Sequence, residues 1–171
     1  MSWNRRIAMK EIKKILVAVD LSGNSDKLLQ SAIYFAGICN AKLVIVFVLE
    51  HFEEDGDFDS PYILLPEIEE EELQRMPIAE LKNLVRQRAE EEMESLVKQN
   101  LSPAIVYETK MLEGEAAEEI TEYARREAVD LILMGTHGYK GIDEFILGSQ
   151  AHEVIKTSPC LVITDNYRIS S

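Results

Sequence analysis

The sequence predicts an α/β fold in which a parallel sheet is covered by helices on both faces. Short, nearly continuous apolar runs rich in branched residues recur along the chain, as strands buried on both faces require. Between them lie segments whose apolar residues return at helical spacing, and this alternation is the pattern of parallel sheets. A glycine-rich stretch follows the fourth strand in chain order, at the carboxyl end where such sheets bind ligands.

The first run, Ile12–Asp20, reads Ile-Lys-Lys-Ile-Leu-Val-Ala-Val-Asp. Ser25 is placed to cap the following helix, whose apolar stripe is Leu28, Leu29, Ala32, Ile33, Phe35 and Ala36, with Cys39 and Asn40 near its end. The second run is Lys42–Leu49. A long insertion follows, and then Pro77, suited to a first helical turn, opens a helix striped by Ile78, Leu81, Leu84, Val85, Ala89, Met93, Leu96 and Val97. Ala104–Met111 alternates apolar and polar residues, the mark of a half-buried strand nearer an edge. Gly114 precedes a third helix containing Ala116, Ala117, Ile120, Tyr123 and Ala124. Asp130–Met134 is the next buried run, Ser149 opens a fourth helix, and Cys160–Thr164 is the last buried run.

The chain of 171 residues fits one domain, read as 1–171, because compact domains commonly run to roughly 100 to 200 residues. Hydrophobic residues make up 46% and charged ones 29%, the balance of a globular protein with a well-packed core. No apolar run approaches the roughly 18 residues of a membrane span, and Met1–Lys14 lacks the apolar centre of a signal peptide, so a cytoplasmic location is expected. Cys39 and Cys160 match neither a CxxC motif nor a zinc-ligand spacing and are read as buried thiols, with no metal site.

A formal charge of −13 argues against nucleic-acid binding, which draws its affinity from lysine and arginine on phosphates. The charge is concentrated: from Glu50 to Arg75 there are eleven acidic residues and one basic, a net of ten negative charges. The plain reading of this segment is a solvated loop that ends in the first turn of the Pro77 helix. The sharper one is a lid or partner-binding segment, since it leaves the end of the second strand.

The candidate site is the stretch from Met134 through Gly135-Thr136-His137-Gly138, nine residues from Tyr139 to Leu147, and Gly148-Ser149-Gln150 at a helix start. Glycine permits positive φ and close approach of main chain to a phosphate. Amides at a helix start have no partner within the helix, and the helix dipole favours an anion there. Asp20 ends the first strand, so it would share the crevice if the first and fourth strands are neighbours. The residues alone leave alternatives open. The glycines would equally serve as turns, Ser149 as a cap, Asp20 as a loop residue or the capping partner of a helix, and His137 as a solvent-facing or loop-bonding side chain rather than a base. The Gly-Lys-Ser/Thr ending of common NTPase phosphate loops is absent, as is a G-x-G-x-x-G after the first strand.

The glycine stretch, with Ile15–Asp20 and the ending Ser158-Pro159-Cys160-Leu161-Val162-Ile163, resembles the universal stress protein family in its ATP-binding form, over about Lys13 to Thr164. The resemblance implies an open three-layer sandwich with strand order 3-2-1-4-5, of the adenine nucleotide alpha hydrolase-like type. It implies ATP, or AMP or ADP, with or without Mg2+. Ala18 and Asp20 would lie near the ribose, the Val48 main chain at adenine, and Gly135, Gly138, Gly148, Ser149 and Gln150 around the phosphates. A homodimer through Leu161–Thr164 and a further protein partner are also implied. Two features depart from the family pattern: Gln150 stands where a small apolar residue is common, and the Glu50–Arg75 insertion is longer and more acidic. Three functions follow: a nucleotide-dependent regulatory or stress-response module, a slow ATPase or phosphotransferase, and a dimeric scaffold that uses no nucleotide. His137, Lys140 and Asp143 form no recognisable set of catalytic roles, so no catalytic residue is assigned.

Overall fold

In the computed structural model, the residues described are 11–50, 64–136 and 147–166. Five strands form one parallel sheet: β1 (Lys14–Ala18), β2 (Lys42–Leu49), β3 (Tyr107–Glu113), β4 (Leu131–Gly135) and β5 (Leu161–Asp165). The helices are α1 (Ser25–Cys39), α2 (Glu70–Arg75), α3 (Ile78–Asn100), α4 (Ala116–Arg126) and α5 (Ser149–Thr157). The order across the sheet is β3-β2-β1-β4-β5, as the resemblance implied.

Side-chain alternation divides the core into two layers. Ile15, Val17, Leu43, Ile45, Leu131 and Leu133 pack on one face beneath α1 and α3, with Leu28, Leu29, Ala32, Val85 and Ala89. Leu16, Val44, Val46, Ile132 and Met134 face the other way, under α4 and α5, with Ile120, Tyr123, Ala124, Ala151 and Val154. Central strands thus bury both faces, which is why β1, β2 and β4 read as unbroken apolar runs.

β5 departs from that reading. It pairs with β4 alone among the described residues, and Leu161 is 65% exposed. Its apolar composition therefore belongs to a sheet edge and not to a strand buried on both faces. β3 is the opposite edge and starts three residues later than the alternation suggested, because pairing with β2 runs from Leu43↔Tyr107 to Leu49↔Glu113. Ile105 N–H closes a turn on the Ser102 carbonyl just before it.

The second half of the acidic insertion is not a bare solvated loop. Leu64, Leu65 and Leu73 are buried against the α1/α3 core, with Ile68 and Met76 packed on it. α2 is a separate turn of helix, and the chain becomes extended at Met76 and Pro77 before α3 begins. Arg88 of α3 holds the segment from below. Its Nε donates to the Leu64 carbonyl at 3.2 Å, and its other guanidinium nitrogens pair with Glu67 and, at 3.5 Å, with Glu91. Residues 50–63 of the insertion, Glu50 apart, lie outside the described residues.

Both cysteines are half-buried rather than buried. Cys39 sits at the end of α1 against one core layer and Cys160 packs against the other, within 3.7 Å of the Ser158 hydroxyl.

Candidate functional site

The winding reverses between β1 and β4, and open α/β sheets bind ligands at the carboxyl ends of strands beside such a reversal. Register brings Ala18 beside Met134 as the last pair of β1 with β4. Ala18, Val48 and Met134 join the same core layer under α4 and α5. Met134 is 6% and Val48 9% exposed, so those two side chains are committed to packing.

The main chain of Val48 is another matter. β1 stops pairing with β2 at Ala18↔Val46, after which Val19 N–H reaches the Val46 carbonyl at 2.9 Å. On the other side, Leu49 accepts from Gly114 N–H beside β3. Successive residues of a strand send their main-chain groups to opposite edges. The N–H and C=O of Val48 therefore face the β1 side, beyond the point where β1 has ended.

Asp20 lies just past β1 and organises the turn into α1. Its Oδ1 accepts from Ser22 N–H at 3.0 Å and from the Ser25 hydroxyl at 3.1 Å. Between them Leu21 takes φ +57°, a left-handed conformation that costs a residue with a β-carbon about 1–2 kcal/mol and persists only where surrounding bonds impose it. Ser25 does not cap α1 as its sequence position suggested. Asn24 holds the N-cap position without a side-chain bond, and Ser25 is the first helical residue, 3% exposed and bonded to Asp20. The Asp-x-Ser spacing of an Asx turn was the signal for this arrangement.

Just past β4, Thr136 carries two main-chain bonds. Its N–H donates to the Asp165 carbonyl at 3.0 Å, and its carbonyl accepts from Gly148 N–H at 2.8 Å. The Gly148 amide, expected to face a phosphate, is thus engaged within the chain. Gly148 itself is the N-cap of α5 at φ −57° and ψ 151°, so its conformation is one open to any residue. Gly135 is the last residue of β4, opposite Asp165. Ser149 is exposed and makes no side-chain cap, and it and Gln150 supply first-turn amides that have no acceptor within α5. The side chain of Gln150 turns away to α4, where its Oε1 accepts from Ala117 N–H at 3.0 Å. His137, Gly138, Lys140 and Asp143 lie outside the described residues.

Charge distinguishes α5 from its neighbours. The first turns of α1, α3 and α4 contain Asp26, Glu80, and Glu118 with Glu119, respectively; the first turn of α5 has no acidic residue. In so acidic a chain, this leaves the positive end of the α5 dipole uncompensated by its own side chains.

A separate open groove of about 640 Å³ runs between α4 and α5. It takes in Ser149 and Gln150 but none of Ala18, Asp20, Val48, Met134 or Gly135. Glu115, Glu118, Glu122 and Glu153 line it, and its Arg125 is paired with Glu122 at 2.6 Å. Among the described residues, no cluster of three or more His, Cys, Asp or Glu is arranged to hold a metal, and no helix is long and apolar enough to cross a membrane.

Sheet order and the helices on both faces define an open, doubly wound α/β protein of the kind that binds ligands at strand ends. The profile of the Universal stress protein family matches residues 11–164, and the chain belongs to that family. It is 31% identical over 151 residues to Universal stress protein MJ0531 of Methanocaldococcus jannaschii, covering 88% of this chain and 80% of that protein. It is 30% identical to Universal stress protein YxiE of Bacillus subtilis, covering 88% and 96%. The solved structure of MJ0577 superposes with a TM-score of 0.71 at 28% identity, covering 94% of this chain and 99% of the other. A universal stress protein solved in complex with cAMP shares the fold at 22% identity and a TM-score of 0.54, covering 91% and 97%.

Proposed function

We propose that this protein binds an adenine nucleotide across the carboxyl ends of β1 and β4 and acts as a nucleotide-dependent regulatory module. The observation that carries the reading is the start of α5. It is free of first-turn acid, and Thr136 ties it to the end of β4, next to β1. Phosphates would meet the Ser149 and Gln150 amides, with Gly135, Thr136, His137 and Gly138 as the adjoining chain. Adenine would meet the Val48 main chain, which faces the vacated edge of β1. Ala18 and Asp20 would flank the ribose, with Asp20 Oδ1 already holding its turn. A family member of the same fold has been solved with cAMP, an adenine nucleotide, which supports this ligand class.

The two first-turn amides of α5 supply part of the affinity, and burial of the adenine must supply the rest. Hydrogen bonds involving a charged group contribute about 1.5–3 kcal/mol each, and micromolar affinity corresponds to about 8 kcal/mol. Titration with ATP, ADP, AMP and cAMP against a non-nucleotide anion tests the reading, with a magnesium-dependent product assay alongside. Binding without turnover above background is the expected result; no binding by any nucleotide would favour a scaffold. Ser149→Pro, which removes one first-turn amide at a helix position that tolerates proline, should weaken nucleotide binding about tenfold while unfolding stays cooperative, and retained affinity would remove the α5 start from the site.

The same chain is read as one domain, cytoplasmic, and dimeric through β5. The edge position of β5 and the exposed Leu161 favour pairing with a second copy. Sedimentation at micromolar concentration of the chain and of a Val162→Pro variant tests it, since proline removes an amide from the edge ladder.

A further inference from the structure

The side chain of Gln150, an expected site residue, bonds the start of α4. It occupies the second position of α5, immediately after Ser149. Ala117, its partner, occupies the second position of α4, so the bond joins two helix starts and satisfies one of the orphan amides of α4. α4 lacks a side-chain cap of its own. α5 is only nine residues long, and its buried anchors are Ala151 and Val154. A short helix with two small anchors is weakly fixed in rotation and pitch by packing alone. Thr136 fixes its entry through Gly148, and Gln150 fixes its first turn against α4.

We propose that Gln150 is a positioning residue for the phosphate end of the nucleotide site. Its amide oxygen, by capping Ala117, sets the direction of the first-turn amides of α5. The inference rests on the nucleotide reading above and deepens it: phosphate recognition is coupled to the start of α4 through one side chain. A small apolar residue at this position would make no such connection.

The test compares ATP with adenosine, which lacks phosphates, in the wild-type chain, Gln150→Met and Gln150→Glu, with amide exchange at Ala117 followed in each. Methionine keeps the length and removes the acceptor. Gln150→Met should weaken ATP binding about fivefold, the scale of one hydrogen bond, leave adenosine affinity unchanged, and speed exchange at Ala117. Gln150→Glu retains an acceptor and should keep Ala117 protected. Faster exchange at Ala117 in Gln150→Met with an unchanged ratio of ATP to adenosine affinity would make the bond a cap only and overturn the proposal. Loss of Ala117 protection in Gln150→Glu would overturn it as well. Failure of the wild-type chain to bind either compound would overturn the nucleotide reading itself, and this proposal with it.

Discussion

The Ser31 hydroxyl donates a 2.7 Å hydrogen bond to the Asp165 carboxylate, joining the middle of α1 to the last residue of β5. Asp165 also accepts Thr136 N–H on its carbonyl, so one residue gathers α1, β4 and β5. Ser31→Ala should cost about 1–2 kcal/mol in urea unfolding, the range for a partly buried bond to a charged acceptor. An unchanged midpoint would show that water replaces the hydroxyl without loss.

Ala128 offers a stabilising change. It lies just past α4 at φ +52°, with Val129 N–H returning to the Ala124 carbonyl at 2.9 Å and Ala128 N–H to the Arg125 carbonyl at 3.4 Å. That is a Schellman ending, in which glycine ordinarily takes the left-handed position. Ala128→Gly should raise stability by about 0.5–1 kcal/mol, the relief of left-handed strain less the greater entropy of the unfolded chain. A lower thermal midpoint would contradict it.

The segment over α3 should separate into apolar and ionic contributions. Leu65 is 1% exposed, and Leu65→Ala should cost about 2–5 kcal/mol by leaving a cavity. Arg88→Met keeps the stem and removes the bonds to the Leu64 carbonyl and Glu67. Its expected effect is faster limited proteolysis around Leu64–Met76, with a global unfolding midpoint close to wild type. Equal protease resistance would show that the buried leucines suffice.

Glu108 gives a pH signature. The hydrogen bond from Lys42 at 2.9 Å holds its carboxyl below the ordinary carboxylate range, against the opposing effect of burial. A carboxylate lowered in the folded state contributes stability that is present above its unfolded value, about 4.3, and lost as pH falls through the folded value. Lys42→Met should therefore destabilise the chain at pH 7 by no more than about 1 kcal/mol, since both side chains are partly exposed. The difference should shrink as pH falls below the unfolded value of about 4.3. Tyr123 behaves in the opposite direction: burial, then the Glu108 charge, raises its phenol, so its contribution is present below about pH 10 and lost above it.

Much of the fold could be read from residue order. The runs now seen as β1, β2 and β4 announced themselves because burial on both faces demands unbroken apolar sequence. The limits of β3 could not be read, since they depend on how far β2 extends, which is a pairing between segments distant in the chain. The packing of Leu64, Leu65 and Leu73 was obscured by the carboxylates around them, although the leucines themselves were visible. At the site, the placement of Asp20 near the switch point followed from strand order. Its bonds to Ser22 and Ser25, the engagement of Gly148 by Thr136 and the turn of Gln150 toward Ala117 did not. Each depends on side-chain direction or on a loop meeting its own base.

The 2.8 Å bond between Thr136 and Gly148 also bears on how this site can change. It brings together two residues separated in the chain, and the entropy of joining two such points rises only as the logarithm of the separation, about 0.6 kcal/mol for each doubling. Changing the number of residues between these two points should therefore add little closure entropy, provided the ends still meet. The stability of the described fold is therefore thermodynamically separable from the length of chain that lies between Thr136 and Gly148.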